Sequence, residues 1–274
     1  MTVISTNTTA NTALLYLNKN SAAESTALAQ LSSGSRITSA KDDASGLAIA
    51  TGMKSDMAVL QQAATNVQNG TAVLNTADGA LSNISDILTR MKTLTAQAQS
   101  GSSSANDLSY INAEYTQLQS EIDDIATKTT FNGTSLLDGA SSYSTGVDFM
   151  VGTSSTDTIN VQLSGADSTA LGINTTSITS AASAGSAMSA LDTAISTISS
   201  ARANVGATLS RFSFRGAVIN TSLQNLTAAK SAITDTDIAA TQSAYSTAQT
   251  MTTAAVSALY DANQMNQSLL KLIQ

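Results

Sequence analysis

The stretch LSSGSRITSAKDDASGLAIA, residues 31–50, decides how the rest of the chain is read. Ser32, Ser33 and Ser35 surround Gly34 and interrupt the helical pattern before it, because glycine and clustered serines favour turns over helix interiors. Arg36 then enters a short extended piece. Asp42 and Asp43 stand just ahead of a new apolar run that begins at Leu47. Carboxylates there accept from the free N–H groups of a helix start and oppose its dipole. The stretch reads as helix, linker, acid-capped helix, with Arg36 placed to pair with Asp42 or Asp43. Gly34, Arg36, Asp42 and Asp43 are the candidate linker residues.

Upstream, residues 3–31 carry Leu14, Leu17, Leu28 and Leu31 at heptad positions, with Ser21 and Glu24 in the slots between. Two polar layers make this seam weak, and it needs a partner. The partner is 237–273, where Ile238, Tyr245, Ala248, Ala255, Leu259, Ala262, Leu269 and Ile273 keep a similar register behind a cap at Asp235 or Asp237. Both stripes are poor. They are expected to bury surface mainly against other copies, with Ser5–Thr9 frayed and both ends ordered only in a polymer.

Downstream, 44–99 reads as one long helix with Met53, Met57, Leu60, Ala64, Val67, Leu74, Leu81, Ile84, Leu88 and Met91 on one stripe. Gly70 and Gly79 each weaken it by roughly 1 kcal/mol relative to Ala. After a turn at 101–106, Leu108, Ile111, Tyr115, Leu118, Ile122 and Ile125 mark a second helix, which FNGTSLLDG (131–139) ends through Asn132-Gly133. The only strand signal lies in 140–172. Val147, Phe149 and Val151 alternate with polar residues there, as do Ile159, Val161 and Leu163, across a GTSSTDT loop. From Met188 through Leu191, Ile195, Ile198, Val205, Leu209, Phe212, Ile219, Leu223 and Leu226 to Ile233, one heptad register runs for roughly 70 Å. A rod with so narrow a seam cannot bury itself, so it packs on the helices of 44–128 in an antiparallel bundle.

The fold class is therefore mainly α, a long antiparallel helical bundle with a small β-hairpin insertion and paired N- and C-terminal helices. The domain reading is an inner pair, 1–44 with 235–274, and an outer bundle, 45–234, with its β region at about 140–172.

Composition agrees and excludes. Of 274 residues only 4% are aromatic and none is Trp, so the apolar content rests on Ala, Leu, Ile and Val, which suit helix seams. Proline is absent, and nothing forces a break in a long helix. A net charge of −7 argues against nucleic-acid partners, whose binders carry basic patches. No apolar run approaches a membrane span, and the first residues lack the layout of a cleaved secretory signal. Without His or Cys the chain cannot build the zinc, Ser-His-Asp or Cys-His sites of hydrolases. Asp42–Asp43 reads as capping, since adjacent helix residues do not face each other. Glu114, Glu121, Asp123 and Asp124 read as a solvated face. Asp148, Asp157 and Asp167 lack calcium-loop spacing. The expectation is a non-enzyme with no cofactor and no metal.

The opening stretch closely resembles the N-terminal signature of bacterial flagellins. NGTAVLNTADGALSNISDIL (69–88) and FNGTSLLDG resemble two further blocks of that family. Gly206, Ala207, Arg211, Asn225, Leu226, Asp235, Asp237 and Ala239 line up with its C-terminal core, and Ala262-Asn263-Gln264 with its final motif. The likeness covers roughly 1–139 and 185–274 and departs at Ala232, Thr241 and Asn266, where many flagellins have Arg, Glu and Pro. It implies a minimal, core-only subunit of the flagellar filament, a homopolymer outside the cell. Export would be by the flagellar apparatus without a cleaved signal, with a flagellin chaperone, a filament cap and hook-junction proteins as partners. The rival readings are a hook–filament junction protein and a secreted coiled-coil adhesin or scaffold. The resemblance also implies that Arg90, Leu94 and Glu114 are receptor-contact positions for innate recognition. Thr93 stands where the family often has Glu, so weak or absent activation is expected.

Overall fold

The computed structural model describes residues 6–100 and 103–273, with side chains described through Ser268 except at Asn266. The described chain divides into two compact units, Met1–Ser55 with Asn225–Gln274, and Asp56–Gln224. The boundaries fall inside two long helices, α2 (Ala44–Gln99) and α5 (Ala181–Thr234).

In the Asp56–Gln224 unit, α2 buries Leu60, Ala63, Val67, Gly70, Leu74, Ala77, Leu81, Ile84, Leu88, Met91, Thr95 and Ala98. That is an unbroken three-four alternation over more than five heptads, the geometry of a left-handed supercoiled seam. On α5 the facing positions are Ala184, Ala187, Leu191, Ala194, Ile198, Val205, Phe212 and Ile219. Met188 and Ile195, expected in this seam, sit half-exposed on its flank, and Ala187 and Ala194 take the interior. Small residues let two helix backbones approach, while the larger neighbour one position on shields the edge. Two ion pairs tie α2 to α5: Arg202 Nε to Asp78 Oδ1 at 2.9 Å, and Lys92 Nζ to Asp192 Oδ1 at 2.5 Å.

Gly70 has a role that helix propensity does not suggest. Its missing Cβ makes room for the Phe212 ring, whose Cζ would lie 2.6 Å from such an atom. Phe212 is fully buried and meets Phe149 edge-to-face, with ring centroids 5.8 Å apart. Gly79 has open space around the same position.

The third helix, α3 (Ala105–Lys128), starts with a capping box. Ser104 Oγ accepts from the Asp107 N–H, and the Asp107 carboxylate accepts from the Ser104 N–H at 2.9 Å. It buries Ile111, Tyr115, Ile122 and Ala126. Its acids are not simply a solvated face. Asp123 accepts from the Ser168 N–H at 2.7 Å and from the Ser168 hydroxyl at 2.9 Å, holding the segment before α5 against the bundle. Asn112 accepts from the Ile178 N–H, and the Tyr115 hydroxyl lies 2.7 Å from that of Thr176, reinforcing the same junction.

Strands are not confined to 140–172. β1 (Thr130–Phe131) and β2 (Thr134–Ser135) form a small antiparallel hairpin around Asn132 and Gly133, whose φ angles are 49° and 78°. Two successive positive φ values are what a tight hairpin turn requires, and Asn-Gly supplies them at least cost. The alternating segment forms a second hairpin, β3 (Val147–Met150) with β4 (Thr158–Val161), after a single helical turn, α4 (Ser142–Thr145). Its inward residues Val151, Ile159, Val161 and Leu163 are buried. Its loop is fixed to α5 by Arg215 Nη2 and Asp157 Oδ1, 3.1 Å apart.

Candidate assembly surface

The other unit holds α1 (Thr8–Ser33), the linker, the first turns of α2, the last turns of α5, and α6 (Ile238–Ile273). Gly34 ends α1 in the left-handed conformation at φ 67°, which only glycine adopts without strain. From there the chain pairs with the end of α5. The Arg36 N–H donates to the Thr234 carbonyl at 2.7 Å, and the Thr236 N–H to that of Gly34 at 3.1 Å.

The Arg36 side chain donates through Nε and Nη2 to the Ile233 carbonyl, at 3.2 and 2.8 Å. A cation on the orphan carbonyls of a helix C-terminus satisfies them and opposes the dipole. Arg36 is thus a cap for α5 more than an acid partner. Its distance to Asp43 is 3.9 Å, and its closest polar contacts do not include Asp42. Asp42 instead accepts from the Thr38 N–H and hydroxyl and from the Ser39 N–H, which together hold its carboxyl below the usual range. Asp43 caps α2 by accepting from the Gly46 N–H at 2.8 Å. Gly46 and buried Ile37 carry no motif signal of their own, yet a Cβ at Gly46 would strike both Asp43 and Ile37. For α6 the cap is Asp237, which accepts from the Ala240 N–H at 3.0 Å. Asp235 accepts from Ser231 and Thr234, and these bonds keep its carboxyl low.

α1 and α6 run antiparallel. Asn7 caps α1 and donates its amide to the Ala262 carbonyl at 2.9 Å, while Ser35 bridges Asp235 at the other end. On α6 the seam is Thr241, Tyr245, Ala248, Thr252, Ala255, Leu259 and Ala262. It has alanine at every seventh position from 248, and the two backbones come within 8 Å of each other. On α1 it is Ala10, Ala13, Leu17, Asn20, Glu24, Ala27 and Leu31. The register expected from the leucines is therefore rotated by about one position. Leu17 and Leu31 remain in the seam, Leu14 and Leu28 do not, and the alanine beside each takes its place. Ile238 also stands exposed, because the first seam layer of α6 is Thr241. The side chains of Leu269 and Ile273 lie outside the described residues, as does Ser5.

What this rotation leaves outside is apolar. Among the described residues, nine of fifteen exposed large hydrophobic side chains lie on α1 and α6. They are Leu14, Leu15, Tyr16, Leu28, Ile238, Met251, Val256, Tyr260 and Met265. The two helices have 26 and 36 residues, less than a quarter of the chain. Concentrated exposure of this kind marks a surface that another molecule covers.

Of the receptor-contact positions that the resemblance implies, Arg90 and Glu114 are exposed and paired, with Nη2 and Oε1 2.7 Å apart. Leu94 is not at the surface. It is 2% exposed, one turn from Met91 and Ala98 on the buried face of α2, so it cannot be touched in the folded bundle. Among the described residues no group of three acids could hold a metal ion, and no helix is long and apolar enough to cross a membrane.

Residues 4–142 match the family model of the bacterial flagellin N-terminal helical region, and 188–273 that of the C-terminal helical region. The chain belongs to the bacterial flagellins. A flagellin of Listeria innocua is 35% identical to it over 94% of both chains, and one of Bacillus subtilis 33% identical over 99% of both. The crystal structure of Bacillus cereus flagellin is 35% identical, covering 59% of this chain and 88% of that one, with a TM-score of 0.49. This flagellin is a structural subunit of the extracellular flagellar filament, polymerising with other flagellin subunits, and not an enzyme. Nothing in these likenesses supports a hook-junction protein or an adhesin. The β3–β4 hairpin falls in the segment between the two family matches.

Proposed function

We propose that the polymer is held chiefly through α1 and α6, which form the inner layer of the filament around a lumen through which further subunits pass. One observation carries this reading. The apolar side chains that the chain fails to cover are concentrated on those two helices, while the intrachain seam between them is built of alanine, threonine and a few larger residues. In this reading 1–44 with 235–274 is the assembly domain, and 45–234 is the outer bundle that folds without it. The linker residues fix the turn between them: Gly34 ends α1, Arg36 caps α5, Asp42 closes the turn at Thr38 and Ser39, and Asp43 caps α2.

Export by the flagellar apparatus without a cleaved signal, a flagellin chaperone for the apolar ends, and cap and hook-junction proteins as assembly partners follow from family membership and belong to the same proposal. Uncovered apolar ends are a hazard before assembly, which is the physical reason for a chaperone.

Removing residues 237–274 tests the division of labour. The truncated chain should give no filaments by electron microscopy or pelleting, and its circular dichroism melt should stay helical and cooperative. Leu259→Asp should also stop assembly, because an unpaired carboxylate in the α1–α6 seam costs several kcal/mol and separates the two helices that present the exposed apolar side chains. Normal filaments from the truncated chain would refute the assignment. Loss of the helical melt would show instead that the ends and the bundle fold as one.

A further inference from the structure

The dipeptide Asn-Gly occurs twice in the chain, at Asn69-Gly70 and Asn132-Gly133. An asparagine amide is most open there to attack by the backbone nitrogen that follows it, because glycine has no Cβ to block the approach. The fold treats the two copies in opposite ways. Asn69 and Gly70 lie inside α2, where the Gly70 N–H belongs to the helix ladder and Gly70 itself is buried under the Phe212 ring. Asn132 and Gly133 form the exposed turn between β1 and β2. Among the described residues, neither the Asn132 side-chain amide nor the Gly133 N–H has a hydrogen-bond partner.

The backbone around this turn is lightly held. Its ladder pairs Thr130 with Ser135 and Phe131 with Thr134. So short a hairpin is marginal by itself and opens locally at small cost. Among the described residues Asn132 is the one non-glycine with a positive φ, a conformation that L-residues adopt at a cost and leave readily. Opening frees rotation about the Asn132 Cα–C bond and lets the Gly133 nitrogen reach Cγ. No atom lies within 4 Å of where a Gly133 Cβ would stand, so nothing crowds that movement. The related Asp-Gly pairs lack this freedom. Asp138 accepts from the Ala140 and Ser141 N–H groups at 3.1 and 2.9 Å, and Asp78, inside α2, is paired with Arg202.

We propose that Asn132 is a site of spontaneous deamidation. The Gly133 nitrogen, having lost its proton to water or hydroxide, bonds to Cγ of Asn132. The Cγ–Nδ2 bond breaks, the amide leaves as ammonia, and a five-membered succinimide remains. Water then adds to one of the two ring carbonyls, and the ring C–N bond at that carbon breaks. Opening at Cγ gives aspartate, and opening at the backbone carbonyl gives isoaspartate, with the main chain now running through the side chain. The sum is amide plus water to carboxyl plus ammonia, with no oxidant or reductant.

Isoaspartate adds a methylene to the main chain of a two-residue loop whose turn needs left-handed φ at both positions. The strand that leaves this loop runs into Leu136 and Leu137, both fully buried. The Leu136 N–H donates to the Thr129 carbonyl at 3.0 Å, and the Leu137 carbonyl accepts from the Ala166 N–H at 2.8 Å. The modification therefore loosens the end of α3 and the segment held against it. Since ammonia is lost, the asparagine does not re-form, and the change accumulates with the age of each subunit.

Full-length wild-type and Asn132→Gly chains would be aged in warm buffer at neutral and at mildly alkaline pH. Conversion would be read by peptide mass spectrometry and by labelling with an isoaspartyl methyltransferase. In the folded wild type, the peptide carrying Asn132 should lose its amide progressively, and faster at the higher pH. The peptide carrying Asn69 should stay intact, whereas chemically denatured chain should convert at both. Asn132→Gly keeps a turn that accepts positive φ and should take no label there. Aged wild type should melt below fresh wild type, and aged Asn132→Gly should melt as it did when fresh. Asn132 surviving in the folded chain for as long as the denatured chain takes to lose it would overturn the proposal. Equal conversion at Asn69 and Asn132 in the folded chain would overturn the selection by the fold. An unchanged melt after full conversion would overturn the loosening of the hairpin.

Discussion

Gly70 and Gly79 look equivalent as interruptions of α2, and substituting alanine at each should have opposite outcomes. Alanine in a helix interior is favoured over glycine by about 1 kcal/mol. At Gly79 an added Cβ meets nothing within 4 Å, so the full gain should appear. At Gly70 the same atom would lie 2.6 Å from Cζ and 2.9 Å from Cε1 of Phe212. That ring is fully buried and backed edge-on by Phe149, so it cannot swing aside without opening the hairpin contact. Overpacking of this kind costs about 1–3 kcal/mol, which offsets the propensity gain and leaves a net loss of about 1 kcal/mol. For a unit of this size each kcal/mol moves the melting temperature by about 2–4 °C. Circular dichroism melts of unpolymerised protein should therefore place Gly79→Ala above wild type and Gly70→Ala below it. Adding Phe212→Leu to Gly70→Ala should give a smaller loss than the two single losses combined, a coupling of about 0.5 kcal/mol or more. If Gly70→Ala melts as far above wild type as Gly79→Ala, the account of Gly70 as the seat of Phe212 is wrong.

Three further outcomes follow from individual contacts. Ser104→Ala removes half of the α3 capping box and should cost about 1 kcal/mol, read as a lower melting temperature, with Ser104→Thr retaining most of it. Gly46→Ala should lower the melting temperature despite its better helix propensity, since the new Cβ would meet Asp43 at 2.4 Å and Ile37 at 2.9 Å; a rise would mean that the linker gives way freely. Stability should be level between pH 6 and 8, because the chain has no histidine. Asp42, Asp107 and Asp235 are held low by hydrogen bonds from Thr38, Ser104 and Ser231 respectively. Carboxyls depressed in the fold contribute stability above their unfolded value of about 3.9 and lose it as pH falls through the folded value, so melting temperatures should drop only below about pH 4. A step between pH 6 and 8 would contradict this.

The sequence by itself determined the period and the punctuation. Helix starts near Asp42–Asp43 and at Asp235 or Asp237, the stop at Gly34, the heptad rhythm of α2 and α5 and the alternation of β3 and β4 are local properties, set by backbone sterics and by side chains a few residues apart. The fold then chose Asp43 and Asp237 as the caps. Which face of a helix lies innermost was not legible in the same way. Hydrophobicity ranks Leu14 above Ala13, Leu28 above Ala27, Met188 above Ala187 and Ile195 above Ala194, yet the fold turns the alanine of each pair further inward, burying Ala27, Ala187 and Ala194 and half-burying Ala13. The distance between two packed helices decides that choice, because a close approach admits a methyl and pushes the larger neighbour to the flank. The same holds for the burial of Leu94, the seat that Gly70 offers Phe212, the hold of Asp123 on Ser168 and the turn of Arg36 toward the Ile233 carbonyl. Each depends on a partner dozens to hundreds of residues away, and only the tertiary structure brings that partner within reach.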